Sequence, residues 1–565
     1  MKDLVLEGEL MRPLDRIAGA SVLKENGVDR IFKLEPVQSL PGCEQRIYLV
    51  RPTIPNLKII ANQINADVAQ QQIRKYKIIF TPRKLHICDL VLEQEGVFGY
   101  VTIDEFRLEL LPLEKDLLSL EIPQFFKSFF LDKDPTMIHT VAQSILDIQA
   151  LFGDIPNIYG IGNAAKMTYE MMKTISEFQP DHRKVHPEIG HLFLIDRDVD
   201  FVTALASQVT YEGLVDEIFG IHTGYAEFGP EVTGTEKPMR FLLSGEDEVY
   251  EEIRNRHFSN VSGFLSAKAK ELQTGYDKRH GLESVSQLKD FVSNELKGLK
   301  AQHRSLSLHI GACEVILNKK TKQSDFQEHL RTEHSLIECV ETKENISYIE
   351  EAINRQYNMI STLRLLCILS QTQGGCSSLL YKSLVTQFCH SHRFEHMLTF
   401  HNLKKTGLFT ENDQASQSSM AIKALSKSSF KSISKKLHLV PKFGEEMNLK
   451  NPSDMSYVFS GAYTPLTCKL VEQVVSREGF TGLEDVIKYI DSPHFCNLKP
   501  KTARGTASSE STNSKTILVY FLGGCTFTEL AALRFLCKLR GWKILVATTS
   551  MINGNTMLKQ LIEYS

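Results

Sequence analysis

The sequence predicts an α/β protein in which a large α-helical segment is inserted into one of two parallel-sheet domains. Short apolar runs alternate with helical patterns over residues 1–110, which is typical of parallel α/β units. Helical periodicity dominates the stretch from about residue 210 to about residue 495. Strand patterns return after residue 515, and the roughly 50 residues that remain are too few for an independent domain.

Two apolar runs predict buried strands in the first domain. They lie at residues 46–50 and 77–80, and each ends in a turn that contains proline. Between them, apolar residues recur at helical spacing from Leu57 to Val68. The first predicted strand lies at residues 4–6, so close to the start that we expect the opening segment of this domain to be shortened.

The clearest strand of the second domain lies at residues 191–195. Strands at residues 516–522 and 543–547 flank a helix at residues 528–539. We expect this terminal group to complete the sheet that begins within residues 111–206. The helical region then becomes an insertion into that domain.

A long helical hairpin is predicted inside the insertion. Residues 284–319 place apolar side chains on one stripe, residues 249–272 form a partner helix, and Gly275 and Gly281 are expected in the turn. The side chains expected to face inward are Leu288, Phe291, Leu299, Leu306, Ile310, Cys313 and Leu317 in the longer helix and Val249, Ile253, Val261, Leu265 and Leu272 in its partner. The outer face carries the basic residues Lys289, Lys297, Lys300 and Arg304. This pattern suits either an ordinary solvated helix pair or a surface that binds other helices.

Composition excludes several classes of protein. The 65 Lys and Arg residues against 68 Asp and Glu give a formal net charge of -3, which argues against a nucleic-acid footprint over the whole chain. The 11 cysteines show no C-x-x-C spacing, so we expect reduced thiols in a cytoplasmic protein. The sequence contains neither a signal-peptide pattern nor a run of about 18 uncharged apolar residues, so it predicts no direct membrane insertion.

One segment matches a cofactor-binding fingerprint. Gly160-Ile161-Gly162-Asn163-Ala164-Ala165 has the form G-x-G-x-x-A, which aims a helix N-terminus at a pyrophosphate. The fingerprint requires a strand directly before it, whereas residues 154–157 resemble a turn. We therefore expect a helix that begins with small, closely packed residues.

Two strand ends carry residues that enzymes use. Asp196 and Asp200 could hold Mg²⁺ at the carboxyl end of a strand, but no phosphate-binding loop accompanies them. We interpret this motif as Arg197 held between carboxylates such as Asp196 and Asp200. Gly523 and Gly524 precede a helix and could bind an anion, but they lack the Gly-Lys-Ser/Thr of a phosphate loop, which favours a plain turn.

Two further motifs have incomplete chemistry. Cys525 at a helix start could be a nucleophile, but no base accompanies it. His392, Glu395 and His396 spell the zinc-peptidase pattern H-x-x-E-H without a third zinc ligand, which favours a packing or solvated role. The sequence therefore predicts no catalytic residue, no cofactor and no metal.

Several segments together resemble the Sec/Munc (SM) family of syntaxin-binding SNARE-assembly chaperones. The segments that carry the resemblance are YLVRP at 48–52, HLFLIDRDVDFVTALASQVTYEGLVDE at 191–217 and FLGGCTFTELAALRF at 521–535, in family order across nearly the whole chain. Residues 293–300 and 307–314, together with Ala204, favour the class C vacuolar sorting branch of that family. The family's first domain begins with a helix before the strand at Leu4, and we expect that helix to be missing here.

The resemblance implies an arch of three domains. These are domain 1 (1–110), domain 2 in two parts (111–206 and 516–565), and helical domains 3a (207–345) and 3b (346–498), with a Ser/Thr-rich loop (499–515) before the second part of domain 2. Domain 3a would align SNARE helices, with Lys289, Lys297, Lys300, Arg304, Arg51 and Lys58 as candidate SNARE-binding residues. Asp196, Arg197, Asp200, Gly213, Gly523 and Gly524 would be structural, because SM proteins are not enzymes.

The resemblance also implies partners and a location. Proteins of this branch act with a VIPAR-like helical co-subunit or with tether subunits of HOPS or CORVET type, and they reach late endosome and lysosome membranes through partners. Two alternatives stay open, a sorting adaptor that never contacts SNAREs and a nucleotide-binding α/β enzyme.

Overall fold

The computed structural model describes residues 2–36, 40–72, 74–108, 110–178, 187–277, 296–321, 326–412, 429–441, 447–498 and 515–563. The chain divides into two compact units, Met1–Leu111 and Pro112–Ser565. The first unit has a parallel sheet, and the second has a mostly parallel sheet with an antiparallel edge strand.

The first unit is built on a five-stranded parallel sheet with the strand order β2-β1-β3-β4-β5. Its strands are β1 (Lys2–Leu6), β2 (Arg30–Lys33), β3 (Gln45–Val50), β4 (Lys75–Phe80) and β5 (Val101–Glu105), and its helices are α1 (Met11–Ile17), α2 (Ala20–Glu25), α3 (Ile54–Ala69) and α4 (His86–Gln94). Helix α3 buries Leu57, Ile60 and Ile64 against the sheet, as their spacing predicts. The predicted strand–helix–strand unit is therefore confirmed.

The second unit contains a seven-stranded sheet and most of the helices. Its strands are β6 (Leu111–Glu114), β7 (Leu117–Ser119), β8 (Asn157–Ile161), β9 (His191–Asp196), β10 (Ile221–His222), β11 (Tyr225–Phe228), β12 (Met239–Leu242), β13 (Cys376–Ser377), β14 (Glu411–Asn412), β15 (His494–Leu498), β16 (Thr516–Leu522) and β17 (Lys543–Thr548). Its helices are α5 (Ile138–Phe152), α6 (Asn163–Phe178), α7 (Phe201–Leu205), α8 (Tyr211–Phe219), α9 (Pro230–Thr233), α10 (Glu248–Ile253), α11 (Val261–Asp277), α12 (Leu296–Thr321), α13 (Phe326–Ile337), α14 (Thr342–Asn354), α15 (Met359–Gln373), α16 (Ser378–His392), α17 (His396–Lys405), α18 (Ser429–Leu437), α19 (Leu466–Ser476), α20 (Glu484–Ile490), α21 (Phe527–Arg540) and α22 (Gly554–Lys559).

The terminal strands complete the sheet that begins after residue 110. The strand order is β15-β8-β9-β16-β17-β7-β6, so β16 lies between β9 and β17 and is parallel to both. The chain thus leaves the sheet after β9 and returns to its centre at β16. This confirms the prediction that the helical region is an insertion.

The predicted partner helix at residues 249–272 is wrong as a single helix. Helix α10 ends at Ile253, a 3-10 turn spans Phe258–Asn260, and α11 begins at Val261. The break has a physical reason, because the carbonyl groups of Arg254 and Arg256 accept hydrogen bonds from the first N–H groups of α8 instead of continuing a helix.

The remaining hairpin predictions are partly corrected. Gly275 lies inside α11 and not in the turn, while Gly281 lies outside the described residues. Helix α12 packs against α11, which gives the predicted helix pair. The insertion also holds an unpredicted antiparallel sheet, β10-β11-β12.

Candidate functional site

The G-x-G-x-x-A segment lies at a strand-to-helix junction after all. Strand β8 runs through Gly160, so the expectation of a turn before the motif is wrong. The Asp196 carboxylate accepts hydrogen bonds from the N–H groups of Ala164 (2.7 Å) and Ala165 (2.8 Å) at the start of α6. Gly162 has φ of 119°, and a Cβ on it would lie 2.1 Å from Cγ of Asp196. A carboxylate of the protein thus occupies the place that a phosphate would take at this helix.

Arg197 forms a buried ion pair with a residue that sequence reasoning did not assign to it. Its guanidinium donates to both carboxylate oxygens of Glu529, at 2.8 and 3.0 Å, and neither side chain is exposed. Burial alone would lower the pKa of Arg197, but the charge of Glu529 and the hydrogen bonds to it raise that pKa above its ordinary value. The expectation that the Asp196 and Asp200 carboxylates hold Arg197 is therefore wrong. Nothing in the local sequence could reveal a partner 332 residues away.

Asp200 has a different role. Its carboxylate accepts hydrogen bonds from the N–H of Thr203, which caps α7, and from the N–H of Leu466 at the start of α19. The backbone carbonyl of Asp200 accepts a hydrogen bond from Arg197. Asp200 therefore ties the end of β9 to the far end of the insertion.

Gly523, Gly524 and Gly213 allow close packing, because neighbouring side chains occupy the space that a Cβ would need. Gly523 and Gly524 have φ of 98° and 114°, and Cβ atoms there would lie 2.6 Å from Phe130 and from Ile552. A Cβ on Gly213 would lie 2.8 Å from Gln208, whose side-chain oxygen accepts the N–H of Thr528 in α21. Burial raises the pKa of the Cys525 thiol well above its ordinary value, which disfavours a thiolate nucleophile.

Glu333 on α13 anchors that helix to the polypeptide that follows α7. It accepts hydrogen bonds from the N–H and Oγ of Ser207, both at 2.9 Å, and from His329 at 3.1 Å. Burial disfavours its charge, but the hydrogen bond and charge of His329, the charge of Arg364 and the Ser207 N–H together lower the pKa of Glu333 to about 2.

The candidate basic residues are divided between the two units. Lys300 and Arg304 are exposed on α12, Lys297 lies in α12 with its side chain outside the described part, and Lys289 lies outside the described residues. In the first unit, Lys58 is exposed on α3, and Arg51 forms an ion pair with Glu9.

One face of α12 carries a stripe of exposed side chains. Six exposed positions follow one another at alternating intervals of three and four residues, namely Lys300, His303, Ser307, Ile310, Glu314 and Leu317. Ile310 is 43% exposed and Leu317 is 45% exposed, so the prediction that both face inward is wrong. Leu306 and Cys313 are buried as predicted, Leu299 is half-buried, and Leu288 and Phe291 lie outside the described residues. The buried side of α12 also contains His309, Ala312, Val315 and Ile316.

A second exposed apolar group lies at the start of α17. Phe394, Met397 and Leu398 are 72%, 47% and 55% exposed. Met397 and Leu398 follow Phe394 by three and four residues, a spacing that groups side chains on one side of a helical turn. This spacing could have revealed the group in the sequence, but the sequence analysis did not identify it. The neighbouring His392 and His396 rings pack on Phe388, with ring centroids 4.5 and 5.7 Å apart, so the H-x-x-E-H motif contributes to packing. No helix in the described ranges has the length and apolar character needed to cross a bilayer.

Replacing Glu529 should destabilise the second unit strongly. We expect Glu529→Gln to lower the free energy of unfolding by about 3–5 kcal/mol, because the buried Arg197 charge loses its partner. Denaturant unfolding followed by circular dichroism measures the change. Glu344→Gln is the matched control, since Glu344 also lies in the first turn of a helix but is exposed. A loss below about 1 kcal/mol for Glu529→Gln would contradict a paired buried charge.

Glu333 should contribute a pH-dependent share of stability. Its pKa is about 2 in the folded chain and about 4.3 when unfolded, so its contribution is complete above pH 4.3 and declines as pH falls toward 2. We expect the difference in unfolding free energy between wild type and Glu333→Gln to shrink by about 2 kcal/mol from pH 7 to pH 3. Denaturant titrations across this range test it, with Glu328→Gln, an exposed position on the same helix, as control. A difference that stays constant with pH would refute the assignment.

Three comparisons with known proteins place the chain in a family. The model described as the Sec1 family matches residues 2–560. The chain is 48% identical over 583 aligned positions to vacuolar protein sorting-associated protein 33B of Homo sapiens, covering 100% of this chain and 94% of that protein. It is 33% identical over 580 positions to vacuolar protein sorting-associated protein 33A of Rattus norvegicus, with coverage of 100% and 94%.

Solved structures share the fold at low sequence identity. One is described as the SM protein Vps45 in complex with the Qa SNARE Tlg2, with a TM-score of 0.58, 15% identity and coverage of 99% of this chain and 94% of that chain. Another is the Unc18–syntaxin 1 complex from Monosiga brevicollis, with a TM-score of 0.57, 15% identity and coverage of 99% and 95%. These findings confirm the predicted fold class and the resemblance drawn from the sequence. The chain belongs to the Sec1 family, that is, to the SM proteins.

Proposed function

We propose that this chain is a non-enzymatic SM protein that binds syntaxin-type SNAREs and templates or guards their assembly. It would act as a subunit of a tethering or sorting complex in fusion and sorting at late endosomes and lysosomes. Family membership supports the class, and two structures of similar fold are complexes with a Qa SNARE and with syntaxin 1. The observation that carries the proposal is the exposed outer face of α12.

That face offers what a second helix needs. Its exposed positions alternate at three and four residues, which is the spacing of a coiled-coil seam. Ile310 supplies an exposed apolar side chain in the middle of the seam. Lys300 and Arg304 add positive charge nearer the N-terminus of α12, which would attract an acidic helix.

Four further basic residues belong to the same proposal. Lys289 and Lys297 stay candidates on the charge pattern of the sequence alone, since Lys289 and the side chain of Lys297 lie outside the described part of the chain. Arg51 and Lys58 in the first unit would form a separate SNARE contact. The domain boundaries at residues 110, 206, 345 and 498 stay predictions; residue 345 lies inside α14, and β15, which ends at residue 498, pairs with β8 in the sheet.

Charge reversal on α12 tests SNARE binding. We expect Lys300→Glu with Arg304→Glu to weaken binding of a soluble syntaxin-type SNARE motif by at least about tenfold at low salt, because like charges then oppose each other. Binding is measured by calorimetry on the chain purified with its co-subunit. Lys343→Glu, an exposed lysine on α14, is the control and should bind as wild type. Equal binding by the double variant would remove these residues from the site.

The exposed group at Phe394, Met397 and Leu398 supports a second surface, for the co-subunit. The exposed residues near it in the chain include the acidic Glu395 and four basic or histidine residues, namely His390, Arg393, His401 and Lys405. An amphipathic helix with an acidic border fits such a surface, with apolar anchors in the centre and charges at the rim. We assign it to a VIPAR-like helical co-subunit, or to a HOPS- or CORVET-type tether subunit. This partner would recruit the otherwise cytoplasmic chain to the membrane.

Replacing one apolar anchor tests that assignment. We expect Phe394→Asp to abolish co-purification with the VIPAR-like co-subunit, because a buried, unpaired carboxylate opposes binding. Leu379→Asp is the matched control, since Leu379 is 85% exposed on the adjacent helix α16. Retained co-purification of Phe394→Asp would exclude this surface. A stable co-subunit complex that binds no SNARE would favour the adaptor function instead.

A further inference from the structure

A row of polar contacts holds α12 against the elements on its buried side. Ser305 donates to the Asp247 carboxylate, with Oγ at 2.7 and 2.5 Å from its two oxygens. Gln302 donates to Glu248 at 2.5 Å. His309, which is not exposed at all, shares hydrogen bonds with Asp247 at 3.3 Å through Nε2 and with the Tyr211 hydroxyl at 2.8 Å through Nδ1.

The residues that contact α12 are themselves held in place by hydrogen bonds and ring stacking. Asp247 caps α10 by accepting the N–H groups of Val249 and Tyr250. The Tyr250 ring stacks on His309 with centroids 5.7 Å apart, and its hydroxyl donates to the buried Glu212 at 2.6 Å. Glu212 in turn pairs with Arg534 on α21 at 3.0 Å. A chain of directed contacts therefore runs from α12 to the helix that follows the central strand.

The row lies on the side of α12 opposite to its exposed seam. Positions 302, 305 and 309 repeat at intervals of three and four, as the exposed positions 300, 303, 307 and 310 do on the other side. Apolar packing is non-directional and tolerates sliding along a helix axis, whereas hydrogen bonds demand short distances and good angles. A slide of α12 by one turn, 5.4 Å, would break every contact of the row.

We infer that Asp247, Ser305 and His309 are positioning residues that fix the axial register of α12, and with it the register of any helix bound on its outer face. The second half of this inference rests on the proposed SNARE binding, while the first half does not. The three residues contact no bound helix themselves, because they lie on the buried side.

Distance measurement on the intact chain tests the register directly. Spin labels are introduced as noncanonical amino acids at Ala301 on α12, which lies outside the exposed seam, and at Lys538 on α21; both positions are exposed. We expect one narrow distance distribution in wild type and in Ser305→Thr, which retains the hydroxyl. In Asp247→Asn with Ser305→Ala, the distribution should broaden or shift by up to about 5.4 Å, one helical turn. If the double variant fails to fold, the distance distribution is measured in Ser305→Ala alone. An unchanged distribution in whichever of these variants folds would overturn the inference.

Binding of the soluble SNARE motif to the same variants separates the two hypotheses. The double variant should bind up to about tenfold more weakly, because losing hydrogen bonds to a charged group can lower the population of the binding-competent register by that factor. Ser305→Thr should bind as wild type. Unchanged binding by a variant with an altered distance distribution would refute the link between register and binding. If wild type binds no SNARE motif, the proposed function fails, and the distance distributions still decide whether these residues fix α12.

Discussion

The buried pair of Arg197 and Glu529 is the constraint on which the second unit depends. Two charges removed from water are costly, and they remain stable only when geometry and further hydrogen bonds compensate. Here Glu529 also accepts hydrogen bonds from Thr526, within a capping box, and from Thr467 at 2.6 Å. Because Arg197 follows β9 and Glu529 follows β16, the pair forms only when the chain has returned from the insertion to the middle of the sheet.

Further buried ion pairs and hydrogen bonds connect the helices to the sheet and to one another. Glu212 and Asp116 both pair with Arg534, which links α8 and the β6–β7 connection to α21. Glu333 and Arg364 meet around Ser207, which links α13 and α15 to the segment after α7. Such pairs add little net stability compared with apolar packing, but each permits only one arrangement of its elements. They therefore give a largely helical insertion a single orientation on the sheet.

Local patterns could predict the elements but not these links. The strands around residues 46–50 and 191–195 and the helix near Leu57 follow from burial patterns that act over a few residues. The sequence did not predict strand β8, because Pro156 precedes it. It did not predict β15 either, because β15 is an exposed edge strand. Phe495 on β15 covers Gly160, where a Cβ would lie 2.0 Å from the ring. The need for glycine at this position therefore becomes visible only when the two strands are paired in the structure.

The candidate surfaces were predictable to unequal degrees. The basic residues of α12 could be found from their spacing, but the inward face was misassigned at Ile310 and Leu317. Periodicity defines an apolar stripe but does not show which neighbouring element covers it. In the structure, α9 packs so close to Gly311 that a Cβ there would lie 2.7 Å from the Val232 carbonyl oxygen. The side of α12 covered by α9 is thereby buried, and the apolar residues on the opposite flank are left exposed.

The strand ends of the larger sheet carry polar groups that satisfy one another. In open α/β sheets the carboxyl ends of the strands ordinarily receive ligands. In this chain Asp196 occupies the helix start at Ala164 and Ala165, while Arg197 and Glu529 neutralise each other at the adjacent strand end. A phosphate could enter the first position only by displacing a carboxyl group that already satisfies two N–H groups. These groups are committed to holding the fold, so the proposed function assigns partner binding to helix surfaces, where recognition depends on shape, spacing and charge.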